Sequence, residues 1–227
     1  MPTLYIVATP IGNLEDITLR ALRILREVDF ILCEDTRVTK RLLDKYEIKT
    51  ATLSYHHHSG DAKVEKIIEL LKQGKNLALV TDAGTPGISD PGNKLIAAIL
   101  ETRLIPSLQI TPIPGPAAVT AALSIAGEPT DEFLFLGFLP HKKGRETLIK
   151  EIIASKRTAV LYESPHRIFK FLDQLIKLGG EEKKLVVCRE LTKMHESIYR
   201  GRATEILNFL QKDSNNQKGE FTVIVGK

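Results

Sequence analysis

The chain has 227 residues, of which 43% are hydrophobic, 26% charged and 6% aromatic, and its formal net charge is +4. This composition is typical of a globular protein and excludes collagen-like, disulfide-rich and disordered classes. No apolar run approaches the roughly 18 residues of a membrane span, and residues 1–11 lack the basic start of a signal peptide. The only cysteines, Cys33 and Cys188, lie in apolar runs. We therefore expect reduced, buried thiols in a cytoplasmic protein without membrane contact.

The first half of the sequence alternates between short apolar runs and amphipathic stretches. The run at residues 4–8, which ends at Thr9-Pro10, is typical of a buried parallel strand. Further strands are predicted at residues 30–33, 77–80 and 108–111, and helices at residues 19–28, 36–46, 62–73, 94–101 and 117–126. Thr18 is suited to cap the first helix, and Gly74 to end the third. This alternation predicts an α/β domain with a parallel sheet.

The second half has a different pattern. Strands are predicted at residues 133–138, 158–162, 185–189, 197–201 and 221–225, and helices at residues 146–155, 165–178 and 204–211. Because the strands at 185–189 and 197–201 have no helix between them, they predict a hairpin and hence a mixed sheet. We place the domain boundary after residue 126, which gives an N-terminal α/β domain over 1–126 and a C-terminal α/β domain over 127–227.

The basic excess lies entirely in the second half. Residues 1–112 contain 14 basic and 14 acidic side chains, and the rest contain 18 and 14. Six lysines and arginines against two glutamates make residues 141–157 the densest basic stretch. A solvated helix face explains such a run, and a phosphate-binding edge is the alternative, because basic side chains displace counterions from nucleic acid. Charge alone leaves both open.

Common nucleotide and hydrolase signatures are absent, including G-x-G-x-x-G, G-x-x-x-x-G-K-[ST], H-E-x-x-H and G-x-S-x-G. The most informative loop is Thr81-Asp82-Ala83-Gly84-Thr85-Pro86-Gly87-Ile88-Ser89-Asp90-Pro91-Gly92, which follows a predicted buried strand. Ligands bind outside the carboxyl ends of parallel strands, and glycines and prolines give a backbone that approaches a ligand closely in a fixed shape. The alternative is a structural turn in which Asp82 acts as a cap.

This loop resembles the hallmark of the ribosomal RNA small subunit methyltransferase I family, which belongs to the tetrapyrrole-methylase-like methyltransferases. Other stretches resemble the same family in the correct order, namely Thr9-Pro10-Ile11-Gly12-Asn13, Cys33-Glu34-Asp35-Thr36-Arg37, Pro114-Gly115-Pro116-Ala117-Ala118, Gly137-Phe138-Leu139-Pro140, Tyr162-Glu163-Ser164-Pro165-His166-Arg167, Arg189-Glu190-Leu191-Thr192-Lys193 and Gly219-Glu220-Phe221-Thr222. The resemblance covers essentially the whole chain. The sequence departs from the family at Tyr55-His56-His57-His58-Ser59, where members usually show a His-acid-His-Asn-like run. A second departure follows the last predicted strand, where many members carry a further helical segment that is not present in this sequence.

The resemblance implies two α/β domains with the cofactor S-adenosylmethionine in a cleft between them, and a homodimer. It implies transfer of a methyl group to the ribose 2′-hydroxyl of a cytidine in small-subunit (16S) ribosomal RNA, without a metal ion. The cofactor-binding residues that it implies are Pro10, Asp82, Ala83, Gly84, Thr85, Ile88, Ala117, Ala118, Tyr162, Leu191 and Thr222. For Leu191 and Thr222 a core position is the alternative.

Catalytic and substrate-binding candidates follow from the same stretches. Glu34, Asp35 and Arg37 leave a strand at the same edge as the Asp82 loop, so a carboxylate there can accept the hydroxyl proton; the alternatives are a helix cap and an ion pair between Arg37 and Glu34 or Asp35. The substrate-binding candidates are Asn13, His166, Arg167 and Lys193, with His195 as a weaker one. Three adjacent histidines, His56 to His58, cannot easily converge on one metal ion, so RNA contact or loop polarity is expected there.

Two other functions remain open. A tetrapyrrole methyltransferase of the corrin or sirohaem pathways would keep the fold and change the substrate. A non-catalytic RNA-binding module would use the basic half alone, and it would not require the Asp82 loop or the Pro114-Gly115-Pro116 turn.

Overall fold

The computed structural model describes residues 1–56, 59–90, 92–102 and 107–227. They form two compact units, Met1–Ala117 and Ala118–Lys227. The sequence-based boundary after residue 126 lies at the other end of the short helix Ala118–Ser124, which in this division begins the second unit. Within the described residues, no helix is long and apolar enough to cross a membrane.

The first unit is built on a five-stranded, fully parallel sheet, as the sequence predicts. Its elements are β1 (Thr3–Val7), α1 (Leu19–Glu27), β2 (Phe30–Cys33), α2 (Thr36–Lys45), β3 (Ala51–Ser54), α3 (Asp61–Lys72), β4 (Leu77–Leu79), α4 (Gly92–Thr102) and β5 (Gln109–Ile113). The strand order is β3-β2-β4-β1-β5. The edge strand β3 is the element that the sequence reading missed, because its Ala-Thr-Leu-Ser run is exposed or half-buried and carries no apolar alternation.

Helices cover both faces of this sheet, which explains why its three central strands, β2, β4 and β1, are largely apolar and buried. One core cluster joins α1 and α2 to one face through side chains such as Leu25, Leu43 and Ile31. A second cluster joins α3 and α4 to the other face through Ile68 and Leu95. The predicted caps are confirmed: the Thr18 hydroxyl accepts a 3.1 Å hydrogen bond from the Ala21 amide, and Gly74 follows α3 with a φ of 83°.

The strand order also fixes where a ligand can reach the sheet edge. After β2 the chain crosses to β3 on one side, and after β4 it crosses to β5 on the other side. The carboxyl ends of β2 and β4 therefore flank the point at which the chain reverses direction. In open parallel sheets, the crevice at such a point is the usual position of a ligand.

The second unit contains a mixed five-stranded sheet, again as predicted. Its elements are α5 (Ala118–Ser124), β6 (Phe133–Phe138), α6 (Arg145–Ala154), β7 (Thr158–Glu163), α7 (Pro165–Lys177), β8 (Leu185–Arg189), β9 (Ser197–Gly201), α8 (Ala203–Gln211) and β10 (Phe221–Val225). The strand order is β6-β7-β10-β8-β9; β6 is parallel to β7, and the other neighbours are antiparallel. The predicted β8–β9 hairpin is present, and the last strand lies at the centre of the sheet.

Candidate active site

Five loops leave the carboxyl edge of the parallel sheet, and those after β1, β2, β4 and β5 contain the predicted cofactor-binding and catalytic residues of the first unit. Backbone hydrogen bonds join the first and third of these four loops: Thr9 and Gly84 exchange amide-to-carbonyl bonds of 2.9 and 3.0 Å. The Thr9 hydroxyl also donates to the Thr81 carbonyl at 3.0 Å. The Thr85 hydroxyl donates to the Pro116 carbonyl at 3.1 Å and so ties the third loop to the fourth. The loops that the sequence singled out therefore form one connected structure.

Gly84 occupies a conformation that favours glycine. Its φ is 88°, and a Cβ placed there would lie 3.3 Å from Ile11 Cγ2 and 3.7 Å from the Pro116 carbonyl oxygen. Gly115 is restricted by close approach instead, because an added Cβ would come within 2.9 Å of Ala8 Cβ. Small residues are thus required at this edge for the loops to pack against one another.

Asp82 and Asp35 meet at the reversal point between β4 and β2. The Asp35 amide donates a 3.1 Å hydrogen bond to Asp82 Oδ1. Partial burial raises the pKa of the Asp82 carboxyl, the Asp35 amide counteracts this, and the negative charge of Asp35 raises the pKa further. Asp82 is therefore more readily protonated than an ordinary aspartate.

Asp35 has the opposite electrostatic environment. Arg37 donates hydrogen bonds of 3.1 and 2.7 Å from Nε and Nη2 to its two carboxylate oxygens. The Arg37 amide donates a further 2.8 Å bond, so Asp35 caps the N-terminus of α2. These bonds lower the pKa of Asp35 to about 2. Of the roles that the sequence left open, the helix cap and the ion pair with Arg37 are both present, and the guanidinium is still 87% exposed.

Asp90 closes the third loop, although the sequence reading did not select it. Its Oδ1 accepts hydrogen bonds from the Gly87 and Gly92 amides at 2.8 and 2.6 Å. Its Oδ2 is buried and has no hydrogen-bond partner among the described residues. Asp90 helps to line a small pocket that has room for about one water molecule; the other lining residues are Glu34, Tyr55, Leu79, Val80, Thr81, Pro86 and Gly92. An unpartnered buried carboxylate oxygen in a pocket can accept a bond from a donor.

The remaining first-unit candidates divide by exposure. Ala83 and Ile88 are exposed, with Ile88 at 46%, whereas Pro10 in the first loop is buried. Asn13 is exposed, and its side chain accepts a 3.1 Å bond from the Glu15 amide, which caps a 3-10 turn at Leu14–Asp16. Ala117 is half-buried.

The histidine run is only partly described. The His56 amide donates a 2.9 Å bond to the Ser59 hydroxyl, and His57 and His58 lie outside the described residues. Among the residues whose structure is described, no group of three or more histidine, cysteine, aspartate or glutamate side chains is placed to hold a metal ion.

In the second unit, Tyr162 is a packing centre at the end of β7. Its hydroxyl accepts a 3.1 Å hydrogen bond from the Val119 amide, next to the candidate Ala118 at the start of α5. Its ring contacts the rings of Phe135 and Phe138 at centroid distances of 5.1 and 5.5 Å. Burial raises the pKa of the Tyr162 hydroxyl, which therefore stays protonated at neutral pH.

Arg167 lies in a buried ionic network rather than on the surface. Its Nε is 3.2 Å from Glu163 Oε2, and its Nη2 donates to the Leu139 carbonyl. Arg145, 2% exposed, is 2.7 Å from Glu163 Oε1 and donates to Gln174 Oε1 at 2.8 Å. Of these three residues, the sequence analysis selected only Arg167 as a site candidate. Glu163 could have been selected because it is a charged residue at the end of an apolar strand, within a stretch that resembles the family. The neighbouring candidate His166 is exposed.

The last candidates surround the loop after β8. Lys193 bonds Glu190 and Glu220 at 2.9 and 2.8 Å. Partial burial acts to lower the pKa of Lys193, but the bonds to Glu220 and Glu190 outweigh it and the pKa is raised. Arg189 is 6% exposed, and its guanidinium donates to the backbone carbonyls of Lys218, His195 and Asn215.

The residues next to Lys193 differ in exposure and backbone conformation. Leu191 and Thr222 are buried, which is the core position left open from the sequence, whereas His195 is exposed. The backbone of Glu190 and Thr192 has positive φ values of 52° and 67°. Non-glycine residues with positive φ are uncommon, and such conformations cluster at functional sites.

Known proteins share this architecture. The sequence profile of the Tetrapyrrole (Corrin/Porphyrin) Methylases matches residues 3–207. The solved structure of cobalt precorrin-4 methyltransferase superposes with a TM-score of 0.68 at 20% identity, covering 99% of this chain and 94% of that one. Diphthine synthase superposes with a TM-score of 0.74 at 14% identity, covering 100% and 90%. Fold and profile together define the class, a two-domain methyltransferase of the tetrapyrrole methylase type.

Curated relatives identify the family within this class. The ribosomal RNA small subunit methyltransferase I of Escherichia coli O157:H7 is 45% identical over 98% of this chain and 77% of its own length. The proteins of that name from Synechocystis sp. and Thermotoga maritima are 44% and 42% identical, each over 99% of this chain, and over 79% and 98% of their own lengths. The chain belongs to the ribosomal RNA small subunit methyltransferase I family, which confirms the resemblance seen in the sequence.

Proposed function

We propose that this protein transfers a methyl group from S-adenosylmethionine to the ribose 2′-hydroxyl of a cytidine in small-subunit (16S) ribosomal RNA. Family membership supports the reaction class, and the name of the relatives supports the RNA substrate. The main structural support for the proposal is the carboxyl edge of the parallel sheet, whose loops are hydrogen-bonded to one another. There the Asp35 amide bonds the Asp82 carboxylate at the reversal point between β4 and β2.

The chemistry of this edge fits S-adenosylmethionine. The cofactor carries a sulfonium and an ammonium group, and four carboxylates, those of Glu34, Asp35, Asp82 and Asp90, lie along the loops after β2 and β4. The buried Asp90 Oδ2, which has no hydrogen-bond partner among the described residues, is a further acceptor at this edge. Attraction between these carboxylates and a cationic ligand favours binding here.

The residues proposed to hold the cofactor are those that the family implies, namely Pro10, Asp82, Ala83, Gly84, Thr85, Ile88, Ala117, Ala118, Tyr162, Leu191 and Thr222. In the first unit their small side chains and tied backbone leave amide and carbonyl groups close to a ligand. In the second unit, the proposed role of Tyr162 is to position the backbone near Ala118, because its hydroxyl already accepts the hydrogen bond of the Val119 amide.

The bound cofactor would supply an electrophilic methyl group on its sulfonium. The chain's own residues hold the ribose hydroxyl in line with that group, which accounts for most of the expected rate enhancement. Of the two neighbouring carboxylates, Asp35 is a poor proton acceptor, because Arg37 and the α2 amide hold its pKa at about 2. We therefore assign the acceptance of the hydroxyl proton to Glu34, which is half-buried, directly follows β2 and precedes Asp35.

Arg37 is the proposed phosphate contact of this edge. Its guanidinium is 87% exposed, and its planar donor groups suit phosphate better than lysine would. Asn13, His166, Arg167 and Lys193 remain proposed RNA contacts, although Arg167 already pairs with Glu163 and Lys193 with two glutamates. No metal ion is needed for this reaction.

Two measurements test the proposal against its alternatives. Isothermal titration calorimetry should show S-adenosylmethionine binding without added metal, which a purely RNA-binding module would not show. Transfer of labelled methyl groups should reach unmodified small ribosomal subunits and not a tetrapyrrole such as uroporphyrinogen. Label on the tetrapyrrole alone would overturn the RNA assignment and favour the substrate class of the structural relatives.

We also propose a cytoplasmic homodimer, on family grounds. The chain mass is 25.3 kDa, so light scattering at micromolar concentration should give about twice that value. A mass equal to the single chain across that range would contradict the dimer.

A further inference from the structure

Phe138 is an exposed aromatic side chain at the end of a buried sheet. It is 55% exposed, although it is the last residue of β6 and packs on Tyr162 at a centroid distance of 5.5 Å and an interplanar angle of 60°. Tyr162 is itself fixed by Phe135 and by the Val119 amide. The ring of Phe138 is therefore held from one side and open to solvent on the other.

The loop that follows Phe138 is basic and exposed. His141, Lys142 and Lys143 are all exposed, and they begin only three residues after the ring. At roughly 3.3–3.6 Å per residue, a chain of that length keeps these side chains within reach of a single nucleotide and its flanking phosphates.

Two arginines that pair with the buried Glu163 also bond the backbone of this loop. The Arg167 guanidinium donates to the Leu139 carbonyl and, at 3.4 Å, to the Pro140 carbonyl. Arg145 Nη1 donates to the Pro140 carbonyl at 3.4 Å, and the Arg145 amide donates to the Lys142 carbonyl at 3.3 Å. Both arginines pair with the fully buried Glu163. Through these bonds both arginines hold the backbone at Leu139 and Pro140 in place.

We infer that Phe138 is a stacking platform for an unpaired base of the RNA substrate, with Lys142 and Lys143 on the adjacent phosphates. Exposed aromatic rings beside basic groups are the usual means of holding single-stranded RNA. A nucleobase is also part of the cofactor, but the basic loop disfavours a cationic sulfonium ligand and favours a phosphodiester. The inference rests on the proposed function, and it adds the element that would hold the target region of the RNA.

The chain offers a matched control for this ring. Phe209 on α8 is 47% exposed and packs on Tyr199 at a centroid distance of 5.0 Å, also in a tilted arrangement. The two phenylalanines therefore have similar exposure and similar aromatic support. They differ in the charge that follows them: His141, Lys142 and Lys143 follow Phe138, whereas Lys212 and the acidic Asp213 follow Phe209.

The test compares Phe138→Leu, Phe138→Tyr and Phe209→Leu for binding to unmodified small ribosomal subunits. Leucine keeps apolar packing and removes the aromatic face. Base–aromatic stacking of about 1–3 kcal/mol predicts that Phe138→Leu weakens RNA affinity about 5- to 150-fold. Phe138→Tyr should retain most of the affinity, and Phe209→Leu should bind like the wild type. Exchange of both Lys142 and Lys143 for Gln should reduce the salt dependence of RNA affinity by about 1.4 in the log–log slope.

Three results would overturn the inference. They are equal RNA affinity of Phe138→Leu and the wild type, a loss of S-adenosylmethionine affinity in Phe138→Leu measured by calorimetry, and a change of its oligomeric state in light scattering. A loss of S-adenosylmethionine affinity would indicate that the cofactor contacts the Phe138 ring. A change of oligomeric state would indicate that a second copy of the chain contacts it. Methyl transfer by the wild type to the same subunits is scored separately, so failure of the proposed function is distinguishable from failure of the stacking site.

Discussion

The two units use charged residues in different ways. In the first unit, Arg37 and Asp82 are exposed beside the carboxyl edge of the parallel sheet. In the second unit, Glu163 and Arg145 are almost completely buried and Arg167 is 15% exposed, and the two arginines bond the backbone of a loop. Charges of the first kind are available to a ligand, whereas those of the second kind hold a surface in place. Stretches that resemble the same family can therefore supply either ligand contacts or structural support.

The largest expected effect is on stability, from Glu163→Ala. The change leaves Arg145 and Arg167 without their carboxylate, and breaking a buried ion pair in this way typically costs about 3–5 kcal/mol of the free energy of unfolding. Urea denaturation followed by circular dichroism measures it. The matched control is Glu132→Ala, because Glu132 is 3.6 Å from Arg157 in an exposed pair, which typically contributes about 1 kcal/mol or less. Equal losses for both variants would remove the distinction between the two kinds of charge.

The next effect concerns cofactor affinity. Gly84→Val places a branched side chain at a φ of 88°, next to Ile11 and the Pro116 carbonyl, and should weaken S-adenosylmethionine binding about 100-fold, from strain of roughly 1–3 kcal/mol and displacement of the loop. Gly74→Val is the control, since Gly74 has a φ of 83° and open space around an added Cβ. A folded Gly84→Val protein with unchanged affinity would exclude this loop from the cofactor site.

A smaller effect is expected from Arg37→Ala. If the exposed guanidinium contacts phosphate, the variant should fold, bind S-adenosylmethionine nearly normally and lose about tenfold in methylation of small-subunit RNA. Calorimetry and methyl-transfer kinetics on the same preparation measure both quantities. Loss of cofactor binding with unchanged RNA affinity would instead show that Arg37 serves only as the partner of Asp35.

The smallest effect is a pH titration of the two aspartates at the reversal point. The Asp35 carboxyl should titrate at about 2 by NMR, and in Arg37→Ala its midpoint should rise towards the ordinary 3.8. Because this pKa is lowered in the folded state, the stabilisation by the Arg37 pair is complete above the unfolded value and is lost as the pH falls through about 2. Asp82 should titrate above 3.8, since burial raises its pKa. The reverse order of the two midpoints would contradict this electrostatic description.

The sequence predicted both sheets because their elements follow local patterns. The alternation of strands and helices gave the parallel sheet, and the closely spaced β8 and β9 gave the hairpin. It could not predict the polar edge strand β3, whose place depends on pairing with β2. The strand order, and hence the reversal point, likewise depends on contacts between distant segments.

The candidate site could likewise be predicted only where its residues are close together in the sequence. Asp82, Gly84 and Thr85 could be selected from one loop, and the structure ties that loop to its neighbours. The network of Arg145, Glu163 and Arg167 could not be predicted from the sequence, because Arg145 on α6 lies 18 positions before Glu163 and contacts it only through tertiary packing. Arg167 was therefore selected for its charge, although its bonds are to Glu163 and to backbone carbonyls.

The central claim is that the edge of the first sheet binds S-adenosylmethionine for methyl transfer to small-subunit RNA. The most direct measurement is nucleoside analysis of unmodified small ribosomal subunits after incubation with the protein and labelled S-adenosylmethionine. We expect label in 2′-O-methylcytidine with the wild type and with Gly74→Val, and loss of this label with Gly84→Val. Label in no nucleoside, in a methylated base, or in equal amounts with both glycine variants would contradict it.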